Sequence, residues 1–249
     1  LINIIEQPTP SDFKTMGMSG ADPMQNIWIK KMIDKADSNM EEIMSEESFK
    51  DLNLKYKIVL GNPFKELSEE IKTQGVELVV MGTSGASGLE EFFTGSNAER
   101  MVRYSKAPVI TLSEATTLEA VNDIAFASNF HEVSEEFIGH VKNLQSMFGA
   151  KLRLVKINTP ASFTTTRHDK KQMEDFIAKY KIENCTYESY NHSNEEDGVL
   201  AYAEDIEADL IAIGTKQRKG VGHFLAGSIA EDVVNHAKVP VWTFGLENG

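Results

Sequence analysis

The chain has a single cysteine, Cys185, among its 249 residues, so no internal disulfide can form. In its setting, Cys185-Thr-Tyr-Glu-Ser-Tyr190, it reads as a core residue of a strand rather than a reactive thiol. Sparing cysteine use and the lack of an apolar leader point to a reducing cytoplasm, although the first residue is Leu1 and not Met. Long hydrophobic runs are also missing. None approaches the roughly 18 apolar residues that span a bilayer, which leaves a water-soluble chain with no membrane partner as the expectation. Positive charge is scarce too: 25 Lys and Arg stand against 38 Asp and Glu, a net −13. Affinity for nucleic acid comes from clustered Lys and Arg, so that class of partner is set aside.

The common signatures of catalysis are absent as well. There is no Gly-x-x-x-x-Gly-Lys-Ser/Thr loop, no Gly-x-Gly-x-x-Gly fingerprint and no Gly-x-Ser-x-Gly elbow. The six histidines, at 131, 140, 168, 192, 223 and 236, show no His-x-x-x-His metal spacing. Neither a metal site nor a dedicated catalytic residue is expected.

What the chain does contain is a copy of itself. Val79-Val80-Met81-Gly82-Thr83 matches Ile211-Ala212-Ile213-Gly214-Thr215, and Thr94-Gly95-Ser96-Asn97-Ala98-Glu99 matches Ala226-Gly227-Ser228-Ile229-Ala230-Glu231. Lys106-Ala107-Pro108-Val109-Ile110-Thr111 likewise matches Lys238-Val239-Pro240-Val241-Trp242-Thr243. All three pairs lie 132 positions apart, as Gly82 and Gly214 do, and a constant offset over that length is a duplication. Upstream, Leu1-Ile2-Asn3-Ile4-Ile5 matches Leu154-Val155-Lys156-Ile157-Asn158 at an offset of 153, so the first copy carries an insertion between these points.

The second copy alternates strand-like and helix-like segments. Ile124 to Ala127, Lys151 to Ile157, Cys185 to Tyr190, Asp209 to Ile213 and Val239 to Phe244 read as strands. Ser134 to Phe148, Lys170 to Tyr180, Gly198 to Glu207 and Ser228 to Ala237 read as helices. That alternation implies a parallel sheet covered on both faces. The segment from Asn122 to about Ala150 has no counterpart in the first copy, whose first strand and helix are therefore expected to be missing from this sequence. The repeats divide the chain into a domain over 1–112 with a helical insertion at about 20–52, a linker over 113–121, and a second domain over 122–249.

The most distinctive stretch is Gly82-Thr-Ser-Gly-Ala-Ser-Gly-Leu-Glu-Glu-Phe-Phe-Thr-Gly-Ser96, directly after the apolar Leu78 to Met81. In a parallel sheet such a loop lies at the carboxyl ends of the strands, where helix amides attract anions. A second reading stays open. Ser96-x-x-Glu99 and Ser228-x-x-Glu231 are capping boxes, and each serine then serves its own helix.

Gly82-x-x-Gly85, nine residues, then Gly95-Ser96 resembles the nucleotide-binding motif of the universal stress protein family, and Ala107-Pro108-Val109-Ile110 continues the likeness. The resemblance covers both copies. It implies an α/β fold of two tandem doubly wound five-stranded parallel-sheet units, Rossmann-like and of the adenine nucleotide alpha hydrolase type, packed as a pseudo-dimer through their last strands. It further implies that ATP or another adenine nucleotide, with or without Mg2+, is held at the strand ends in a stress-response regulator. By position the first-copy binding residues are Ile4, Met81, Gly82, Gly85, Gly95, Ser96 and Asn97. Those of the second are Asn129, Gly214, Gly227 and Ser228, but here Gln217 replaces the second glycine and Asn129 stands where the family has an aspartate. Glu90 and Glu91 set a repulsive charge in the first loop, while Lys216, Arg218, Lys219 and His223 surround the second. The first copy is the preferred site. A nucleotide-free scaffold with decayed sites, and a weak ATPase, are the alternatives. A homodimer is left open.

Overall fold

A computed structural model of the chain describes residues 1–6, 23–83, 97–113, 120–131, 133–216 and 228–246. They form two compact units, Leu1–Thr73 and Gln74–Gly249.

The first unit holds a parallel pair of strands, β1 (Ile2–Ile5) and β2 (Lys57–Leu60), with Ile4 opposite Val59. Helix α1 (Pro23–Ser45) buries Ala36 and Met40, one turn apart, and Tyr56 donates to its Asp37 at 2.8 Å. The periodic stretch read as helix to Leu52 stops at Ser45 and continues as a short 3-10 turn over Glu47–Phe49. Helix α2 (Pro63–Gln74) starts on a proline, and Asn62 Oδ1 accepts from the Lys65 amide at 3.1 Å, a side-chain cap of the first turn.

The second unit is built on one seven-stranded sheet. Its strands are β3 (Val79–Gly82), β4 (Val109–Leu112), β5 (Asp123–Ala127), β6 (Lys151–Asn158), β7 (Cys185–Asn191), β8 (Leu210–Lys216) and β9 (Val241–Leu246). They lie in the order β3-β4-β9-β8-β5-β6-β7, and every neighbouring pair is parallel except β4 and β9. The second repeat therefore supplies five adjacent strands wound outward from β5 in both directions. The first repeat supplies four strands to two sheets. In the second repeat β5 joins the pair β6-β7 to the pair β8-β9, and no described residue of the first repeat corresponds to β5.

Helices cover both faces. On one, α4 (Glu135–Phe148) and α5 (Thr166–Tyr180) pack Phe137, Val141, Met173 and Phe176 against Phe126, Leu152 and Trp242. On the other, α6 (Glu195–Asp205), α7 (Ser228–His236) and α3 (Asn97–Tyr104) bring Tyr202, Val233 and Val102 onto Ala125, Val155 and Ile211. Strands buried on both faces read as apolar runs, as Asp123–Ala127 and Leu210–Lys216 do.

Helix starts follow side-chain caps more closely than hydrophobic period. Ser134 accepts from the Phe137 amide, Thr165 from that of His168 and Asn194 from that of Asp197. The second and third of these open α5 four residues and α6 three residues ahead of where periodicity alone begins them.

β4 and β9 run antiparallel with Ile110 opposite Trp242, and the contacts there come in pairs exchanged by the 132-residue offset. Thr111 Oγ1 donates to Val241 O at 3.2 Å, and Thr243 Oγ1 to Val109 O at 3.4 Å. Between α3 and α7, Arg103 forks onto both carboxylate oxygens of Glu231, with Nε at 2.6 Å from Oε1, while Asn235 donates to Glu99 at 3.2 Å. Trp242 is 1% exposed, with its ring 6.1 Å from that of Phe137. Trp242→Ala is expected to cost about 3–5 kcal/mol, because it opens a cavity beside the seam. Urea denaturation of the two proteins, compared at equal m-value, measures it.

Candidate functional site

β5 and β8 are adjacent and parallel, with Ala127 opposite Ile213, and the chain leaves them on opposite sides of the sheet. Their carboxyl ends therefore bound the crevice in which ligands of open α/β sheets bind. Asn129 follows β5 and is exposed, and Gly214 lies near the end of β8 opposite Phe244 of β9. These two expected binding residues of the second repeat flank one crevice.

The loop after β5 is held by its own side chains. Ser128 Oγ accepts from the Phe130 amide at 3.1 Å, and Asn129 Oδ1 from the His131 amide at 3.2 Å. The Asn129 acceptor thus serves the turn. Beside it, Thr215 is 3% exposed and donates to Val102 O at 3.3 Å, which ties the end of β8 to α3.

Ile157, near the end of β6, is the second-repeat counterpart of Ile4 at the same offset of 153. It stands outside the set of binding residues that the resemblance implies for the second repeat, although its offset from Ile4 marks the corresponding position. It packs against α6, where a Cβ at Gly198 would lie 2.5 Å from Ile157 Cγ2 and 2.9 Å from His192 Cβ. Glycine is what lets α6 approach so closely.

In the first repeat, Met81 and Gly82 close β3 opposite Thr111 and Leu112 of β4. Asn97 opens α3 and is exposed. Ile4 lies in β1, in the other compact unit. Gly85, Gly95, Ser96 and Gly227 lie outside the described residues, as do Glu90, Glu91 and Gln217. Ser228 is the first residue of α7. Of the two capping-box glutamates, Glu231 accepts from Arg103 on both its oxygens.

Behind the crevice, the segment between β6 and α5 is anchored by a buried ion pair. Lys156 Nζ donates to Asp169 Oδ1 at 2.6 Å, to Gln172 Oε1 at 3.1 Å and to Thr164 Oγ1 at 3.0 Å. Asp169, 0% exposed, also accepts from Thr164 and from Ser189. Asn158 clasps the same segment by accepting from the Thr164 amide and donating to its carbonyl. Burial alone pushes the Asp169 carboxyl up, but the bonds from Lys156, Thr164 and Ser189 together outweigh it and hold it below its ordinary value. Among the described residues no buried side-chain nitrogen or oxygen lacks a partner. Cys185 is half-buried; burial raises its thiol pKa, and Sγ lies 3.8 Å from Ile182 O, an inert environment.

No group of His, Cys, Asp and Glu among the described residues has the arrangement of a metal site, and no helix among them is long and apolar enough to cross a membrane.

The architecture defines the class: a duplicated, doubly wound α/β protein with its crevice at the strand ends. The sequence model of the universal stress protein family matches residues 14–113 and again 121–244, and the chain belongs to that family as two tandem copies. Universal stress protein MJ0577 of Methanocaldococcus jannaschii is 29% identical over 103 residues, 39% of this chain and 62% of that protein. The chain thus spans less than two thirds of that relative. Among solved structures, a universal stress protein from Archaeoglobus fulgidus DSM 4304 superposes with a TM-score of 0.69 at 18% identity, covering 99% of this chain and 97% of its own. A putative universal stress protein from Pseudomonas aeruginosa UCBPP-PA14 gives 0.62 at 14% identity, over 98% of this chain and 92% of its own. At these identities the likeness is one of fold.

Asp169→Asn removes the charge partner of a buried lysine and is expected to cost about 3–5 kcal/mol. The folded value of Asp169 is depressed, so its contribution is complete above the unfolded value, near pH 4, and is lost as pH falls through the folded value. Denaturation midpoints between pH 7 and pH 2 should therefore converge for the two proteins only at the acid end.

Proposed function

We propose that the protein binds an adenine nucleotide, ATP in the first instance, and that occupancy regulates its interactions in a stress response in the cytoplasm. The observation that carries this reading is the spacing Gly82-x-x-Gly85, nine residues, Gly95-Ser96 in a member of this family, between a strand that ends at Gly82 and a helix that starts at Asn97. In that reading the amides of the glycine loop and the Ser96 hydroxyl hold phosphates, and Met81 offers apolar contact to the base. The amide contacts need no metal; Mg2+ bound with the nucleotide would neutralise phosphate charge beside Glu90 and Glu91. The domains are those of the repeat, 1–112 and 122–249, joined as an intrachain pseudo-dimer. The repeat-exchanged contacts between β4 and β9 and between α3 and α7 support that assembly.

A specific observation favours a scaffold role for the second repeat. Asn129 spends its acceptor on its own turn, and Gln217 stands where close backbone approach needs glycine. We infer one working site, in the first repeat.

ATP at a hundred times its Kd adds about 2.7 kcal/mol, a rise of roughly 5–10 °C in Tm for a chain of this size. Gly85→Leu should abolish that rise and leave the ligand-free Tm within about 2 °C. An unchanged Tm at millimolar ATP, with and without Mg2+, is the result that selects the scaffold reading. Turnover that persists in Gly85→Leu excludes the ATPase reading of this site. Restoring the family pattern with Gln217→Gly and Asn129→Asp is expected to raise the calorimetric stoichiometry from one ATP per chain toward two.

A further inference from the structure

A groove of about 540 Å³ runs along α5, between that helix and the segment after β5, and none of the nucleotide positions assigned to either repeat lines it. Its base is aromatic. Phe130 packs edge-on against Phe126 and Phe176, at 6.0 and 5.3 Å between ring centroids, and Tyr180 lies 4.7 Å from Phe176. Phe130 reaches this position with φ of 55°, in the left-handed region that bulky side chains avoid. Strain of this kind persists where the surroundings over-determine it, and it clusters at ligand sites.

The walls are fixed as firmly as the base. Gln172 takes a hydrogen bond from Lys156 of the buried ion pair on its oxygen and contacts His131 Nδ1 with its nitrogen at 3.3 Å. Tyr180 donates to Val133 O at 2.8 Å and accepts from the Val133 amide at 3.1 Å, closing the groove's far end. Among the described residues the rim carries two lysines against one carboxylate, in a protein of net charge −13. Lys171 and Lys179 lie about two turns apart on the exposed face of α5, with His168 and His131 also lining the groove, and Asp175 is the one carboxylate lining it among the described residues. Lys179 Nζ also lies 5.2 Å from the centre of the Tyr180 ring.

We propose that this groove binds a small organic anion, a phosphate or carboxylate carried on an aromatic body, with the lysines on the acid and the aromatic base under the ring. The inference stands apart from the nucleotide reading and uses none of its residues.

Phenyl phosphate titrated into the 15N-labelled full chain tests it. The expected result is saturable shifts of the amides of His131, His168, Lys171 and Lys179, weaker binding of inorganic phosphate, and none of benzylammonium, which has the same ring and the opposite charge. Lys171→Glu and Lys179→Glu, both at exposed helix positions, should each weaken phenyl phosphate about tenfold. Lys170→Glu, the same charge change on the same helix outside the groove, should alter it by less than about twofold. The proposal is overturned if millimolar phenyl phosphate shifts none of these amides or shifts those of residues 214–216 and 228–230 in their place. Inorganic phosphate binding equally well, or Lys170→Glu weakening binding as much as Lys171→Glu, also overturns it.

Discussion

The antiparallel pairing of β4 with β9 is the contact on which the second compact unit depends. Without it β3 and β4 are an isolated two-stranded ribbon, which is marginal in water, and α3 has no sheet of its own to cover. With it, the closing strand of each repeat stops being an apolar edge, which is a site for aggregation, and becomes the interior of a seven-stranded sheet. Ile110 and Trp242 face one another there at 1% exposure each, and Thr111 and Thr243 spend their hydroxyls on each other's strand. Arg103 and Glu231 lock the helices above the same line.

The switch point lies within the second repeat, beside the seam. There β8 lies between β9 and β5, and the chain leaves β5 and β8 in opposite directions. Ligands of open α/β sheets bind at strand ends where the chain departs in this way, and Asn129 and Gly214 lie at those of β5 and β8. The buried Lys156–Asp169 pair, with Thr164, Ser189 and Gln172 about it, costs desolvation that its many hydrogen bonds offset. Its effect is to give the segment between β6 and α5 one conformation, and through Gln172 it steadies the loop after β5 as well.

Much of this was legible in residues. The 132-residue offset found both repeats, and the family match over 14–113 and 121–244 agrees with it. Strands β5 and β8 read correctly because they are buried on both faces and carry few polar residues, whereas β7, at the sheet edge, is only half-buried and reads as a strand from its alternation. Helix ends were less legible: Thr165 and Asn194 start helices whose first turns, Thr-Arg-His-Asp and Glu-Glu-Asp-Gly, carry no apolar period. Of the candidate site, Asn129 was readable by its position after β5, while the turn that occupies its side chain was not, since its partner is a backbone amide.

By itself, then, the sequence determined the duplication, the α/β class, the family and the glycine loop, because each is a matter of residue order along the chain. Only the tertiary structure decided that Glu231 serves Arg103 across the repeats and that Asp169 is buried with Lys156. Only it brought Phe130 and His131 against α5 to form a groove rimmed by Lys171 and Lys179. These depend on which elements pack together, and residues 41 or 128 positions apart become partners only when a sheet puts them side by side.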